Sequence, residues 1–273
     1  MKDKAPPASL GRIWQKYDAM ERRLSASLTS RMLDLAQLRQ GMRVLDLACG
    51  RGEPAIAAAL RVAPDGNVIG LDIDAYVLQI AEARCRNEQI TNLSLRLGSI
   101  ESLERVAEQS FDVVTIRWGL MYFEDPVSTL KIIRRYLKQR GTLVIAVWAN
   151  PEESSFFQVP RTALAKHAAI DPVDHNSPGT FFYDDNTRLS EHLSSADLAI
   201  QHTEDIQVDV MEAKSDAELI DWCRTFGTQR LLEGLDNEVQ LLWEREIVSM
   251  TERFRHSNGN IRLGGTSRII VAS

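Results

Sequence analysis

The nine residues Val44–Gly52, VLDLACGRG, constrain this chain more than any other stretch. An apolar run ends on Asp46, two glycines (Gly50 and Gly52) follow within six residues, and a helix-prone segment opens at Glu53-Pro54. A strand that ends on a carboxylate and turns through glycines into a helix brings backbone N–H groups and one acid together on a ligand. Twenty residues beyond Gly52, a second apolar run, NVIGLD, ends on Asp72. That spacing suits a β–α–β unit whose second strand offers an acid to a ribose diol.

Two cofactors compete for the pattern. Gly50-Arg51-Gly52-Glu53-Pro54-Ala55 also satisfies the GxGxxA dinucleotide fingerprint. In dinucleotide folds the first glycine directly follows the strand, so that the backbone can approach a pyrophosphate. Here Asp46 stands four residues ahead of Gly50, where a carboxylate repels a pyrophosphate but pairs with an ammonium. S-adenosylmethionine (SAM) carries an ammonium and a ribose diol and no phosphate, so the acid-first turn favours it. A dinucleotide-dependent oxidoreductase is the competing enzyme class.

On these residues the chain resembles the class I SAM-dependent methyltransferases, especially the small-molecule, UbiE-like (methyltransferase type 11) branch. The family's motif I, an acid followed by three alternating glycines, falls on Asp46, Ala48, Gly50 and Gly52, with Ala48 in place of the first glycine. The resemblance implies that Asp46 and the turn backbone, Cys49 included, hold the aminocarboxypropyl end of SAM. It also implies that Asp72 binds the ribose hydroxyls and that Ile73 packs on adenine. The family's next acid falls on Gly98-Ser99-Ile100, where Ser99 replaces it and still offers an oxygen acceptor beside Ile100. FDVVTIRWGLMYFEDP, residues 111 to 126, resembles the family's fourth strand, with Arg117 and Trp118 at its active-site end. The similarity covers residues 12 to 150 well and the remainder loosely. A protein that keeps this fold for binding, or for a step other than methyl transfer, is the further alternative.

The rest of the pattern agrees with an α/β architecture. MRVLDLA, NVIGLDI, LSLRLGS, FDVVTIRW and TLVIAVWA are short apolar or β-branched runs, and the segments between them carry helical periodicity. Such alternation implies a parallel sheet covered on both faces, with ligands at the carboxyl ends of the strands. The family resemblance sharpens this to a Rossmann-like seven-stranded sheet, six strands parallel and one antiparallel closing strand, with helical cap additions. One domain over 1–273 is expected: a helical lead-in at 1–40, with Leu10, Ile13, Trp14 and Tyr17 at helix spacing, and a cofactor-binding core at 41–150. Cap segments at 151–185 and 212–260 and a closing strand at 261–273 complete it. Helices are expected at about 186 to 197, 216 to 232 and 236 to 256, and a strand at DIQVDVM.

With 32 basic and 38 acidic side chains, the net charge of −6 argues against an extended phosphate-binding surface, so no nucleic acid partner is expected. KIIRRYLKQR, residues 131 to 140, reads as a helix whose last turn complements its own dipole. No run approaches the roughly 20 apolar residues of a membrane span, and MKDKAPPAS lacks a signal peptide's apolar segment. The three cysteines, Cys49, Cys85 and Cys223, form neither a disulfide framework nor a CxxC pair, and no metal motif appears. A cytoplasmic enzyme with a small-molecule acceptor is the expectation, and a homodimer is compatible with it.

Methyl transfer from a sulfonium is an in-line displacement, and alignment alone supplies roughly 7–11 kcal/mol of such a barrier. The absence of a catalytic triad is therefore uninformative. Tyr17, in KYDAM, is a candidate to touch SAM and to act in catalysis, by resemblance to related enzymes, or merely to pack. Arg117 ends a buried strand and either meets a ligand or pairs with an acid such as Glu124 or Asp125. Trp118, Met121, Tyr122, Trp148, Phe157 and Phe181 are candidates for an apolar acceptor pocket, against ordinary core filling. His175, in the loop-rich DPVDHNSPGTFFYDD, is the one histidine nominated as a base. Oxygen, carbon and nitrogen acceptors are expected in that order, on an aromatic or lipophilic molecule.

Overall fold

Apolar runs of five to seven residues followed by amphipathic segments build the first two thirds of the chain. The computed structural model describes residues 8–103, 106–226 and 228–273, and it leaves aside the side chains of 8–14 and of 102. Leu10, Ile13 and Trp14 therefore lie outside the described side chains, as residues 1–7 of the lead-in lie outside the description. A long helix α1 (Ala8–Leu35) precedes β1 (Arg43–Leu47), α2 (Ala55–Val62), β2 (Asn67–Asp72), α3 (Ala75–Asn87) and β3 (Leu93–Leu97). Next come β4 (Phe111–Arg117), α4 (Pro126–Tyr136), β5 (Leu137–Ala149), α5 (Ser155–Ala165) and α6 (Asn186–Ser194). The last elements are β6 (Ile200–Ala213), α7 (Asp216–Thr225), α8 (Gln229–Leu232), α9 (Asn237–Thr251) and β7 (Ile261–Ala272).

The strands form one seven-stranded sheet in the order β3-β2-β1-β4-β5-β7-β6. β7 runs antiparallel to both neighbours and the other six strands are parallel to one another, as the sequence leads one to expect. The order reverses between β1 and β4, and in open α/β sheets the crevice beyond the carboxyl ends at such a reversal is where ligands bind. The register pairs Asp46 of β1 with Thr115 of β4, which puts the turn after β1 beside the end of β4.

Local chemistry sets the helix starts. Asp74, Asp125 and Asp185 each cap the following helix by accepting a backbone N–H, and Pro126 occupies the first turn of α4, where no N–H is needed. The basic residues of the KIIRRYLKQR segment divide between the last turn of α4, with Arg134 and Arg135, and the start of β5. α2 presents Ala55, Ala58 and Ala59, all fully buried, and so packs closely on β1 and β2. α1 crosses from α3 to β6. Leu28, Met32 and Leu33 bury its apolar stripe, Arg22 pairs with Glu88 at 3.0 Å, and Arg31 clamps Glu204 through Nε and Nη2 at 2.7 and 2.6 Å.

Several boundaries differ from the sequence expectation. β6 extends well beyond DIQVDVM, because its polar first half pairs with β7 while facing solvent and so lacks an apolar signal. The stretch expected as one helix over 216 to 232 is α7 and the short α8. α9 ends at Thr251, and α6 at Ser194. Among the described residues no helix is long and apolar enough to cross a membrane.

Candidate active site

The turn after β1 is built from left-handed residues. Ala48, Gly50 and Gly52 have φ of +53°, +52° and +96°. A left-handed conformation costs an L-residue roughly 1–2 kcal/mol, so Ala48 is held there by its surroundings. One of those surroundings is Gly119, just past the end of β4, where an added Cβ would stand 2.5 Å from the Ala48 methyl. The methyl that replaces the family's first glycine thus fits only because position 119 has no side chain. A Cβ on Gly50 would meet nothing within 4 Å, and Gly50 lines the cavity described below.

Asp46 sits behind the turn, whereas the sequence reading has it facing an ammonium group. Its carboxyl has no exposed surface, accepts the Thr115 hydroxyl at 2.7 Å, and accepts the Ala55 N–H at 3.0 Å. Burial pushes its pKa up to about 7, against the opposing pull of the Thr115 hydroxyl, the Arg117 charge and the Ala55 N–H. Asp46 therefore ties the start of α2 to β4 and fixes the shape of the turn. The alternation of a strand, which points successive side chains to opposite sides, explains the difference.

Asp72, at the end of β2, is only partly buried. It accepts the Gly50 N–H at 2.8 Å and the Asp74 N–H at 2.9 Å. Burial raises its pKa while these two N–H bonds oppose the rise. An ionised carboxylate has about four acceptor sites, so two remain for hydroxyl donors. Beside it Ile73 is 76% exposed and Leu97, its neighbour across the β2–β3 edge, is 61% exposed. Aliphatic side chains this bare at strand ends suit a flat apolar ligand face. Ser99 is exposed and Ile100 is buried in the turn that follows β3.

A cavity of about 120 Å³ opens between this turn, the end of β4 and α1. Ala48, Cys49, Gly50, Arg117 and Trp118 line it, all named from the sequence. So do Asp18, Glu21, Arg51 and Glu53, which the sequence reading missed. Arg51 donates from Nε to Asp18 at 2.6 Å and from Nη2 to Glu21. Burial works to lower the Arg51 pKa, but Glu21 and Asp18 outweigh it and the net direction is up. Glu53 pairs with Arg84 at 2.8 Å. The signal available for the acids was the pairing of Asp18 and Glu21 three apart on one face of a helix. A larger cavity, about 360 Å³, lies at the β6–β7 edge, lined by Glu153, Gln207, Arg253 and Arg262 but by no residue of the turn.

Arg117 does not pair with Glu124 or Asp125. It reaches α1, donating from Nη1 to Ser25 at 2.7 Å and to Thr29 at 3.4 Å. Trp118, at φ +56°, lies under its guanidinium at 4.6 Å and donates from Nε1 to Ser267 at 2.9 Å. The Trp118 indole stacks on Trp148 at 4.5 Å, Trp148 meets Phe156 at 4.7 Å with the rings tilted by 50°, and Phe181 then contacts both Phe156 and Phe157. Trp118, Trp148, Phe157 and Phe181 thus form one aromatic ladder leading away from the cavity. Met121 is buried at the edge of this region and Tyr122 is half exposed, its hydroxyl 3.1 Å from Thr180.

The two candidate catalytic residues lie elsewhere. Tyr17 donates its hydroxyl to Asp221 and packs edge-on against Phe226, fastening α1 to α7, and it does not line the cavity. Burial, then the bond to Asp221, raises its pKa to about 12. His175 is held by Asp184 at 2.7 Å in the loop before α6 and likewise does not line the cavity. Among the described residues no group of three or more His, Cys, Asp or Glu side chains is placed to hold a metal ion.

A turn with a bare Gly50 peptide, a free face on Asp72 and an exposed Ile73 fits an adenosine with an amino acid tail. Comparison with known proteins agrees. A family model described as a methyltransferase domain matches residues 38–172. The demethylmenaquinone methyltransferase of Lactobacillus johnsonii is 32% identical over 195 residues, 67% of this chain and 80% of that one. The enzyme of the same name from Lactococcus lactis is 37% identical over 126 residues, which are 46% of this chain and about half (48%) of the relative. The YcgJ protein of Bacillus subtilis shares the fold with a TM-score of 0.55 at 20% identity, over 89% of this chain and 96% of that one. The chain belongs to the class I SAM-dependent methyltransferases of the small-molecule branch. It is accordingly an enzyme whose cofactor is SAM.

Proposed function

We propose that the enzyme methylates a flat, electron-rich aromatic ring, and that the acceptor atom is a ring carbon. The observation that carries this is the Trp118–Trp148 stack, which begins at the wall of the cofactor cavity and continues through Phe156 to Phe181. Offset aromatic stacking contributes about 0.5–1.5 kcal/mol per pair beyond area burial, and it orients the guest ring as well as binding it. The printed name of the relatives from Lactobacillus johnsonii and Lactococcus lactis, demethylmenaquinone methyltransferase, supports a quinol-type ring, and on such a ring we put a carbon acceptor ahead of oxygen.

When bound, SAM supplies an electrophilic methyl on a sulfonium. The Gly50 peptide and Asp72 hold the ribose and fix the distance between the sulfur and Trp118. Ile73 covers one adenine face, with Ser99 and Ile100 at its edge. Trp118 and Trp148 would orient the acceptor ring toward the methyl group, whose transfer to a ring carbon would release the thioether and leave the ring proton to water. The acids that line the cavity are paired with arginines, and a phenol's own ionisation provides the electron density. The segments 151–185 and 212–260 cover the acceptor side of a single 1–273 domain.

The test uses SAM labelled with ¹³C at the methyl and a panel of naphthols, naphthohydroquinones, catechols and aliphatic amines. Label on a ring carbon of a two-ring hydroquinone supports the reading. Label only on nitrogen of an aliphatic amine overturns it, and SAM binding with no transfer to any compound favours the non-transferring alternative.

A further inference from the structure

The buried arginines of the chain are unequally matched. Arg51, Arg84 and Arg268 have side chains 12%, 10% and 11% exposed, and each holds a carboxylate oxygen at 2.8 Å or closer. Arg117 is more buried, at 7%, and its nearest carboxylate is Glu21, 3.9 Å from Nη2. Its Nη1 is satisfied by two neutral hydroxyls, Ser25 and Thr29, whereas Nε is buried with no hydrogen-bond partner among the described residues. A guanidinium kept from water without a close anion is costly, and such a group is retained where an anion arrives to complete it.

The unmatched edge has a definite shape. Nε and Nη2 form the side-on fork of the guanidinium, which takes the two oxygens of a carboxylate in parallel. This chain uses that same fork twice, in Arg31 with Glu204 and in Arg268 with Asp205. In Arg117 the fork belongs to a residue that lines the cavity beside the turn. On α1, Asp18 and Glu21 line the same cavity with the opposite charge, two carboxylates sharing the single guanidinium of Arg51.

We propose that the Nε/Nη2 fork of Arg117 receives the methionine carboxylate of the cofactor, while the acidic wall of Asp18 and Glu21 faces its ammonium. The cofactor's zwitterionic tail is then matched charge for charge by side chains of β4 and α1, and Asp46 acts only through the turn it shapes. Arg117 is on this account a positioning residue. It fixes the tail, and with it the sulfur, against Trp118, whose ring lies under the same guanidinium. The cavity, at about 120 Å³, is smaller than the roughly 300–1,000 Å³ of typical ligand sites. On this account it takes only the tail of the cofactor and not the whole molecule.

This inference rests on the cofactor lying at the Ala48–Gly52 turn, and the experiment separates the two. Calorimetric titration of the full chain compares S-adenosylhomocysteine with its decarboxylated analogue, which keeps the adenosine, sulfur and amine. Losing a charge-assisted pair predicts about 10- to 100-fold weaker binding of the analogue to the wild type. In Arg117→Met the gap between the two compounds should collapse to within about threefold, because only the carboxylate-bearing ligand loses a contact. Arg117→Lys keeps the charge without the fork and should retain part of the gap, and circular dichroism checks the fold of both. A full gap in folded Arg117→Met overturns the assignment, as does equal binding of both compounds to the wild type. If the wild type binds neither compound, the placement of the cofactor itself is wrong.

Discussion

Trp118 and Trp148 lie face to face, with ring centroids 4.5 Å apart and planes 16° from parallel, at the carboxyl ends of neighbouring strands. Trp118 reaches this position only with a left-handed backbone, an arrangement that costs roughly 1–3 kcal/mol and that concentrates at functional sites. Its indole N–H is anchored on Ser267 of β7. The pair therefore joins β4, β5 and β7 beside the cofactor cavity, which Trp118 lines.

Trp148→Leu should separate acceptor binding from cofactor binding. Trp148 does not line the cofactor cavity, so affinity for S-adenosylhomocysteine should stay within about twofold. KM for an aromatic acceptor should rise about tenfold, the equivalent of one lost stacking contact. Unchanged KM in the folded variant would remove Trp148 from the acceptor site.

The Ala48 methyl and the missing side chain of Gly119 compete for the same volume. Gly119→Ala should destabilise the fold by about 1–3 kcal/mol through overpacking. Adding Ala48→Gly should recover most of that loss, a coupling visible in a double-mutant cycle of urea melts. Additive losses would show that the two positions do not meet.

Stability should depend on pH through Asp46. Its folded-state pKa, about 7, lies above the ordinary 3.8, so the folded chain binds the proton more tightly than the unfolded chain. Its stabilising contribution is complete below pH 3.8 and is lost as pH rises to about 7, where the difference amounts to about 4 kcal/mol at most. Asp46→Asn removes the titration and should flatten the stability profile across that window, as followed by urea melts. An Asn variant whose stability still falls in parallel with the wild type would assign the effect to another group.

Asp72→Asn should weaken S-adenosylhomocysteine binding about 10- to 100-fold by replacing a charged acceptor of the ribose hydroxyls with a neutral amide. Calorimetry checks this, with the melting temperature as control for the Gly50 N–H bond that the side chain also accepts.

What could be read from sequence was what local periodicity encodes. The β1–turn–α2 unit, Asp72 at the end of β2 and the closing strand all follow from runs of apolar residues and their interruptions. The contribution of α1 was hidden, because Arg51 meets Asp18 and Glu21 across 33 and 30 residues and no short-range pattern records such pairs. The fastening of Tyr17 to α7 was hidden for the same reason, since its partner Asp221 lies 204 residues away. Asp46 looked like a ligand group because acids at strand ends usually are. Its burial against Thr115 became visible only with the register of β1 and β4.

The most direct measurement of the whole account is a crystal structure of the chain with S-adenosylhomocysteine. The ribose hydroxyls should lie within hydrogen-bonding distance of Asp72, with the tail in the cavity between α1 and the Gly50 peptide and the sulfur facing the Trp118–Trp148 stack. A sulfur pointing away from Trp118, or a ligand seated at the β6–β7 edge, would contradict it.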